Sequence, residues 1–92
     1  MKLKSGFVLI PFEDKWLALA ADSIPELQNA IITLNKSAHF CWLRLEKGID
    51  KATLLRQMCA AFDAPVSQLE QDLETFLEVL REHGLLEEGK ND

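Results

Sequence analysis

The chain has no tyrosine and only two histidines, two cysteines, four glycines and three prolines in 92 residues. Each shortage removes a class of function. Cys41 and Cys59 lie 18 positions apart, with no CxxC and no paired histidines, so nothing supplies the four ligands of a tetrahedral metal site. Both cysteines fall on the inner faces of expected helices and read as buried, reduced thiols. Four glycines leave no phosphate-cradling loop. The few Ser and Thr residues have no nucleophile context. His39 falls between core positions on a helix and is expected to be exposed. His83 sits in a last helical turn, where a cation complements the dipole. Long apolar runs are missing too: Phe7 to Phe12 and Trp16 to Ala21 have six residues each, far short of the ~20 of a membrane span. Lys2 and Lys4 lead straight into Ser5-Gly6 and a strand-like run, which is no signal peptide. The expectation is a cytoplasmic, non-catalytic protein without metal, cofactor or membrane contact.

Bases are scarce: ten Lys and Arg face fifteen Asp and Glu, for a net charge of −5. Their distribution is uneven. Residues 1–35 carry three bases and four acids, residues 36–63 five and three, residues 64–92 two and eight. A nucleic-acid binder needs a basic face to neutralise phosphates. The acidic last third has none, so no nucleic-acid partner is expected.

What is present is a clear change of period along one domain, residues 1–92. Strand-forming runs over about 6–12 and 15–21 flank a Glu13-Asp14 turn, and Ala30 to Leu34 gives a third strand. Asp22 to Asn29 reads as a loop interrupted by Pro25. Pro11 cannot donate to a ladder, which suits an edge strand or the start of the turn. Helical spacing then takes over. Asn35 caps a helix of about 36–47 with Ala38, Cys41, Trp42 and Leu45 inward, and Gly48 stops it. Asp50 caps a second of about 51–62, with Leu54, Leu55, Met58, Cys59 and Phe62 inward. Ser67 with Glu70 has the form of a capping box for a third, about 67–83. Its apolar stripe is Val66, Leu69, Leu73, Phe76, Leu77 and Leu80. Gly84 ends it, Leu85-Leu86 folds back, and Glu87 to Asp92 is a fraying polar tail. The order predicts an α+β, winged-helix-like domain: a three-stranded antiparallel sheet followed by three helices.

Winged helices commonly read DNA with their third helix. Here that helix carries Glu70, Asp72, Glu74, Glu78 and Glu82 against Arg81, and phosphates would repel it. Glu70, Glu74 and Glu78 repeat every four residues as a solvated face. A small sheet leaves an edge of unpaired amides and carbonyls, and an apolar helix beside it allows an extended peptide to add as a strand. From the stripe alone, burial of Leu69, Leu73, Phe76 and Leu80 in the core is the favoured reading, and a groove is the other.

Three segments point to a family. The run from Ile32 through Leu34-Asn35, Ser37, Ala38 and Trp42 to Leu45 and Gly48 resembles the signature of the pyrroloquinoline quinone biosynthesis protein D (PqqD) family. Asp72 to Leu86 is similar to its closing helix with a Gly-Leu-Leu stop, and Lys4 to Leu9 to its N-termini. The resemblance implies a winged-helix-like recognition element without activity of its own. Such elements bind the leader of a ribosomally made precursor peptide and present it to a modifying enzyme, commonly a radical S-adenosylmethionine enzyme. It also implies pairing of the leader with the third strand at Ile31, Ile32 and Thr33, against Leu69, Asp72, Leu73, Phe76 and Leu80 of the third helix. Trp42 and Asn35 match the motif as core anchor and helix cap. The sequence departs from the pattern in an apolar 22–29 loop, with Ile24, Pro25 and Leu27, and in Cys41 before the tryptophan. A reading from another class is an acidic interaction module that pairs with a folded partner, or with itself as a homodimer through the third strand.

Overall fold

A computed structural model of the chain describes residues 1–20 and 32–88. The expected loop at 22–29, and Ala30 and Ile31 of the expected third strand, lie outside the described residues.

Strands β1 (Lys2–Leu3), β2 (Phe7–Phe12), β3 (Lys15–Ala20) and β4 (Ile32–Leu34) precede helices α1 (Lys36–Lys47), α2 (Lys51–Ala61) and α3 (Val66–Glu82). Strand β5 (Leu86–Glu87) follows them. The larger sheet is antiparallel with order β2-β3-β4. Glu13 and Asp14 form the turn of its hairpin, with Phe12 opposite Lys15. Pro11 lies on an edge strand, where its missing N–H breaks no central ladder.

Register decides which side chains reach the core. Ala18 pairs with Leu9 on one side and Ile32 on the other, and Trp16 pairs with Leu34. Residues directly opposite share a face, so Ala18, Ile32 and Leu34 turn together toward the helices, and all three are buried. The alternate face carries Val8, Ile10 and Phe12, all exposed. The helices complete the core with Cys41, Trp42 and Leu45 of α1, Leu54 and Met58 of α2, and Leu69, Leu73, Leu77 and Leu80 of α3. Val66, the expected start of the α3 stripe, is exposed instead. It stands at the first helical position, before the helix meets its neighbours.

Two caps form as local chemistry demands. The Ala38 amide donates to Asn35 Oδ1 at 2.9 Å, and the Thr53 amide to Asp50 Oδ1 at 2.6 Å. Gly48 turns the chain out of α1 at φ 92°, a left-handed value that a Cβ disfavours. The capping box does not form. Helix α3 begins one residue earlier than expected, with Pro65 as its cap, and the Pro65 carbonyl accepts from the Gln68 and Leu69 amides, both at 3.1 Å. Ser67 is therefore already inside the first turn, where its hydroxyl makes no capping bond.

The chain ends hold a second correction. Gly84 reverses the chain at φ 69°, Leu85 is buried, and Leu86–Glu87 pairs with Leu3 and Lys2 in a two-stranded ribbon. Glu88, expected to fray, accepts from Arg81 Nε and Nη2 at 3.0 and 2.7 Å. Residues 87 and 88 are thus anchored by backbone pairing and an ion pair. His39 is a third. Rather than pointing to water, it is half-buried and stacks on Trp16, with ring centroids 3.9 Å apart and planes within 2°.

The α2 cap titrates. Its bond from the Thr53 amide holds the Asp50 carboxyl below its ordinary value of 3.8. A depressed folded value means that the cap's contribution is whole above that ordinary value and fades as pH falls through the lowered one. Asp50→Asn keeps an acceptor that does not titrate. Its far-ultraviolet circular dichroism should lose less helix signal between about pH 5 and about pH 2 than the parent chain. Equal losses would show that the cap plays no part in acid sensitivity.

Candidate functional site

Strand β4 is the last strand of its sheet. It pairs with β3 along one side, and no strand pairs with its other side among the described residues. Its pattern is buried, exposed, buried at Ile32, Thr33 and Leu34. The free edge therefore offers main-chain donors and acceptors beside one solvent-facing side chain.

A groove of about 460 Å³ runs alongside. Ile32 and Thr33 form its strand wall, and Asp72, Thr75, Phe76 and Val79 its helix wall. Leu73, fully buried, backs the helix wall, while Ala38, Cys41 and Met58 close the bottom. The bottom is soft and apolar: the Cys41 thiol donates to Met58 Sδ at 3.6 Å. Burial pushes that thiol up to about 12, against the pull of Arg44. It stays protonated at neutral pH and is no nucleophile.

The expected site residues divide into three groups. Ile32, Thr33, Asp72, Leu73 and Phe76 come together on the groove. Leu69 and Leu80 are buried in the core and do not line it, because they lie on the inward stripe of α3. Ile31 lies outside the described residues. Thr75, Val79, Ala38 and Met58 were not anticipated. Asp72, Thr75, Phe76 and Val79 stand at i, i+3, i+4 and i+7, a second helical face beside the core stripe, and that spacing was the available signal.

The electrostatics of α3 are acidic. Glu74 is paired with Lys51, and Asp72 accepts from the Gln68 side-chain amide at 2.8 Å. Glu70, Glu78 and Glu82 are exposed and have no ion-pair partner among the described residues. No three His, Cys, Asp or Glu side chains among the described residues cluster to hold a metal ion. No helix of the described residues is long and apolar enough to cross a membrane. The arrangement has the parts for strand addition: an open edge, a trough with an apolar floor and partly polar walls, and a charged rim.

No curated protein matches the chain. Among solved structures it is similar to TbiB1 in complex with the TbiA(beta) leader peptide, at 24% identity and a TM-score of 0.71, over 97% of this chain and 98% of that one. It is also similar to lasso peptide synthetase B1 complexed with the leader peptide, at 17% identity and a TM-score of 0.67, over 91% of this chain and 93% of that one. At these identities the likeness is one of fold. The sequence itself matches the family of Coenzyme PQQ synthesis protein D (PqqD) over residues 7–86, from the first residue of β2 into β5, and the chain belongs to that family.

Proposed function

We propose that the chain is a non-catalytic recognition element that captures the leader of a ribosomally made precursor peptide and presents it to a peptide-modifying enzyme. The observation that carries this reading is the open β4 edge beside the groove. Membership of the PqqD family supports it. So do the two structural neighbours, each solved with a leader peptide bound. The leader adds as a fourth strand along Ile32–Leu34 and sets alternate side chains into the groove, against Phe76 and Val79. Its interface is of the small class, ~1,000 Å², and ordering a flexible leader offsets part of the gain, so micromolar affinity is expected. The family resemblance favours a radical S-adenosylmethionine enzyme as the partner, acting in the cytoplasm where Cys41 and Cys59 stay reduced.

The test uses isotope-labelled protein and synthetic peptides encoded by short reading frames that neighbour its gene. Backbone amide shifts should concentrate on β4 and on the 72–79 face of α3. Shifts confined to other elements, or none at millimolar peptide, would remove the reading. The unpaired carboxylates of α3 favour a leader with Lys or Arg beside its apolar anchors. Raising salt from about 50 mM to about 500 mM should therefore weaken binding several-fold. An affinity indifferent to salt would leave the apolar contacts as the whole of the attraction.

A further inference from the structure

Strand addition alone leaves a guest poorly specified. Main-chain bonds repeat along an edge whatever the sequence, and an edge accepts either strand direction. The described part of strand β4 offers three residues to a guest. Something else must set register and direction.

Two lysines stand at one end of the groove. Lys15 lines it, and also lines the recess of about 370 Å³ that continues from it past Asn35 and Ser37 to Phe62. Lys36 lines the same recess. Their positions follow from the fold. Lys15 opens β3 next to Trp16, whose partner across the sheet is Leu34, and Lys36 opens α1 two residues after Leu34. Both therefore flank the point where β4 ends. Both are exposed.

Lys51, Arg81 and Arg44 of the helical layer are engaged, whereas Lys47, like the two lysines of this end, has no partner among the described residues. Lys51 pairs with Glu74 and Arg81 with Glu88. Arg44 donates to Gln57 Oε1 and lies 3.4 Å from the centroid of the Phe40 ring. Lys15 and Lys36 have no ion-pair or side-chain hydrogen-bond partner among the described residues. Asp14 shares the recess, so this end holds two bases against one acid in a chain of net charge −5. The helix wall of the groove presents Asp72 instead.

We propose that this end is a carboxylate subsite, in which Lys15 and Lys36 pair with an Asp or Glu flanking the apolar anchors of the bound peptide. Basic residues of the same peptide face α3. The inference rests on the peptide-binding reading and adds to it the charge order of the guest. Opposite charges at two places on one groove penalise a shifted or reversed peptide, which apolar contacts alone would tolerate. Strand β4 runs from Ile32 toward the lysines. An antiparallel guest brings them a residue N-terminal to its anchors, and a parallel guest one C-terminal to them.

The probe is a phage-displayed library of random 12-residue peptides, selected on the parent chain and on the double variant Lys15→Glu, Lys36→Glu. Because both lysines are exposed, the variant should keep the parent's circular dichroism. The parent should enrich apolar anchors with an acid at a fixed offset on one flank, and the variant should enrich Lys or Arg at that offset. A synthetic copy of the best parent-selected peptide should bind the double variant about tenfold more weakly. Changing its acid to Lys should restore binding to the variant. Anchored peptides without an enriched acid, or the same flank preference on both proteins, would overturn the subsite and leave strand addition standing. Recovery of no anchored peptide would overturn both.

Discussion

Replacing Ala38 by Phe should close the groove to a peptide while leaving the fold in place. Ala38 is half-buried on α1 and faces the cavity between β4 and α3. A benzyl group there enters empty space instead of displacing core side chains. It takes the place of a leader's apolar anchor, whose burial contributes about 1.5–3 kcal/mol. The dissociation constant should rise roughly ten- to a hundredfold, measured by fluorescence anisotropy with a labelled leader. Val79→Asp, on the facing wall, should act in the same direction by placing a charge against the anchor. Unchanged affinity in both variants, with unchanged circular dichroism, would mean that the peptide lies elsewhere. A charge at Ile32 or Leu73 is a poorer test, because their exposures are 7% and 0%. Loss of binding there would report unfolding as readily as a lost contact.

Trp42→Ala should be the most destabilising single truncation in the domain, by about 3–5 kcal/mol. Trp42 is 1% exposed, fills the centre of α1's inner face and meets the Phe7 ring edge-on at a centroid distance of 6.0 Å. Set against the 5–15 kcal/mol of a typical domain, about 4 kcal/mol leaves little stability. Trp42→Phe should lose much less, about 1–2 kcal/mol. The indole Nε1 is buried with no hydrogen-bond partner, so removing it breaks no bond and relieves an unsatisfied donor. Urea titrations of the two variants check the contrast. Equal losses would show that the packing of the indole's second ring, which phenylalanine also removes, sets the whole cost.

The pattern of what could be read in advance follows the range of each interaction. Asn35 and Asp50 were legible as caps because a cap needs only its own side chain and an amide three residues on. Ser67 with Glu70 had the same local form and failed, because Pro65 had already begun the helix. The β1–β5 ribbon was not legible at all. Two-residue strands have no period, and Lys2–Leu3 meets Leu86–Glu87 only once the whole chain between them has folded. His39 looked solvent-facing by spacing, and it took the approach of β3 to bring Trp16 over its ring.

The candidate site shows the same division more sharply. Alternation and 3.6-residue spacing determined that the three strands of the larger sheet precede three helices and that an edge strand lies before α1, and composition determined that the last helix is acidic. Local sequence carries such information because it concerns neighbours along the chain. Only the tertiary structure decided that Leu69 and Leu80 point inward while Thr75 and Val79 line the trough, since two adjacent faces of α3 divide between core and groove wall and Phe76 of the apolar stripe falls on the second. It alone brought Lys15 and Lys36, 21 positions apart, to the same end of β4. Those are questions of which surfaces meet, and they are answered by how the sheet and the three helices close around one core.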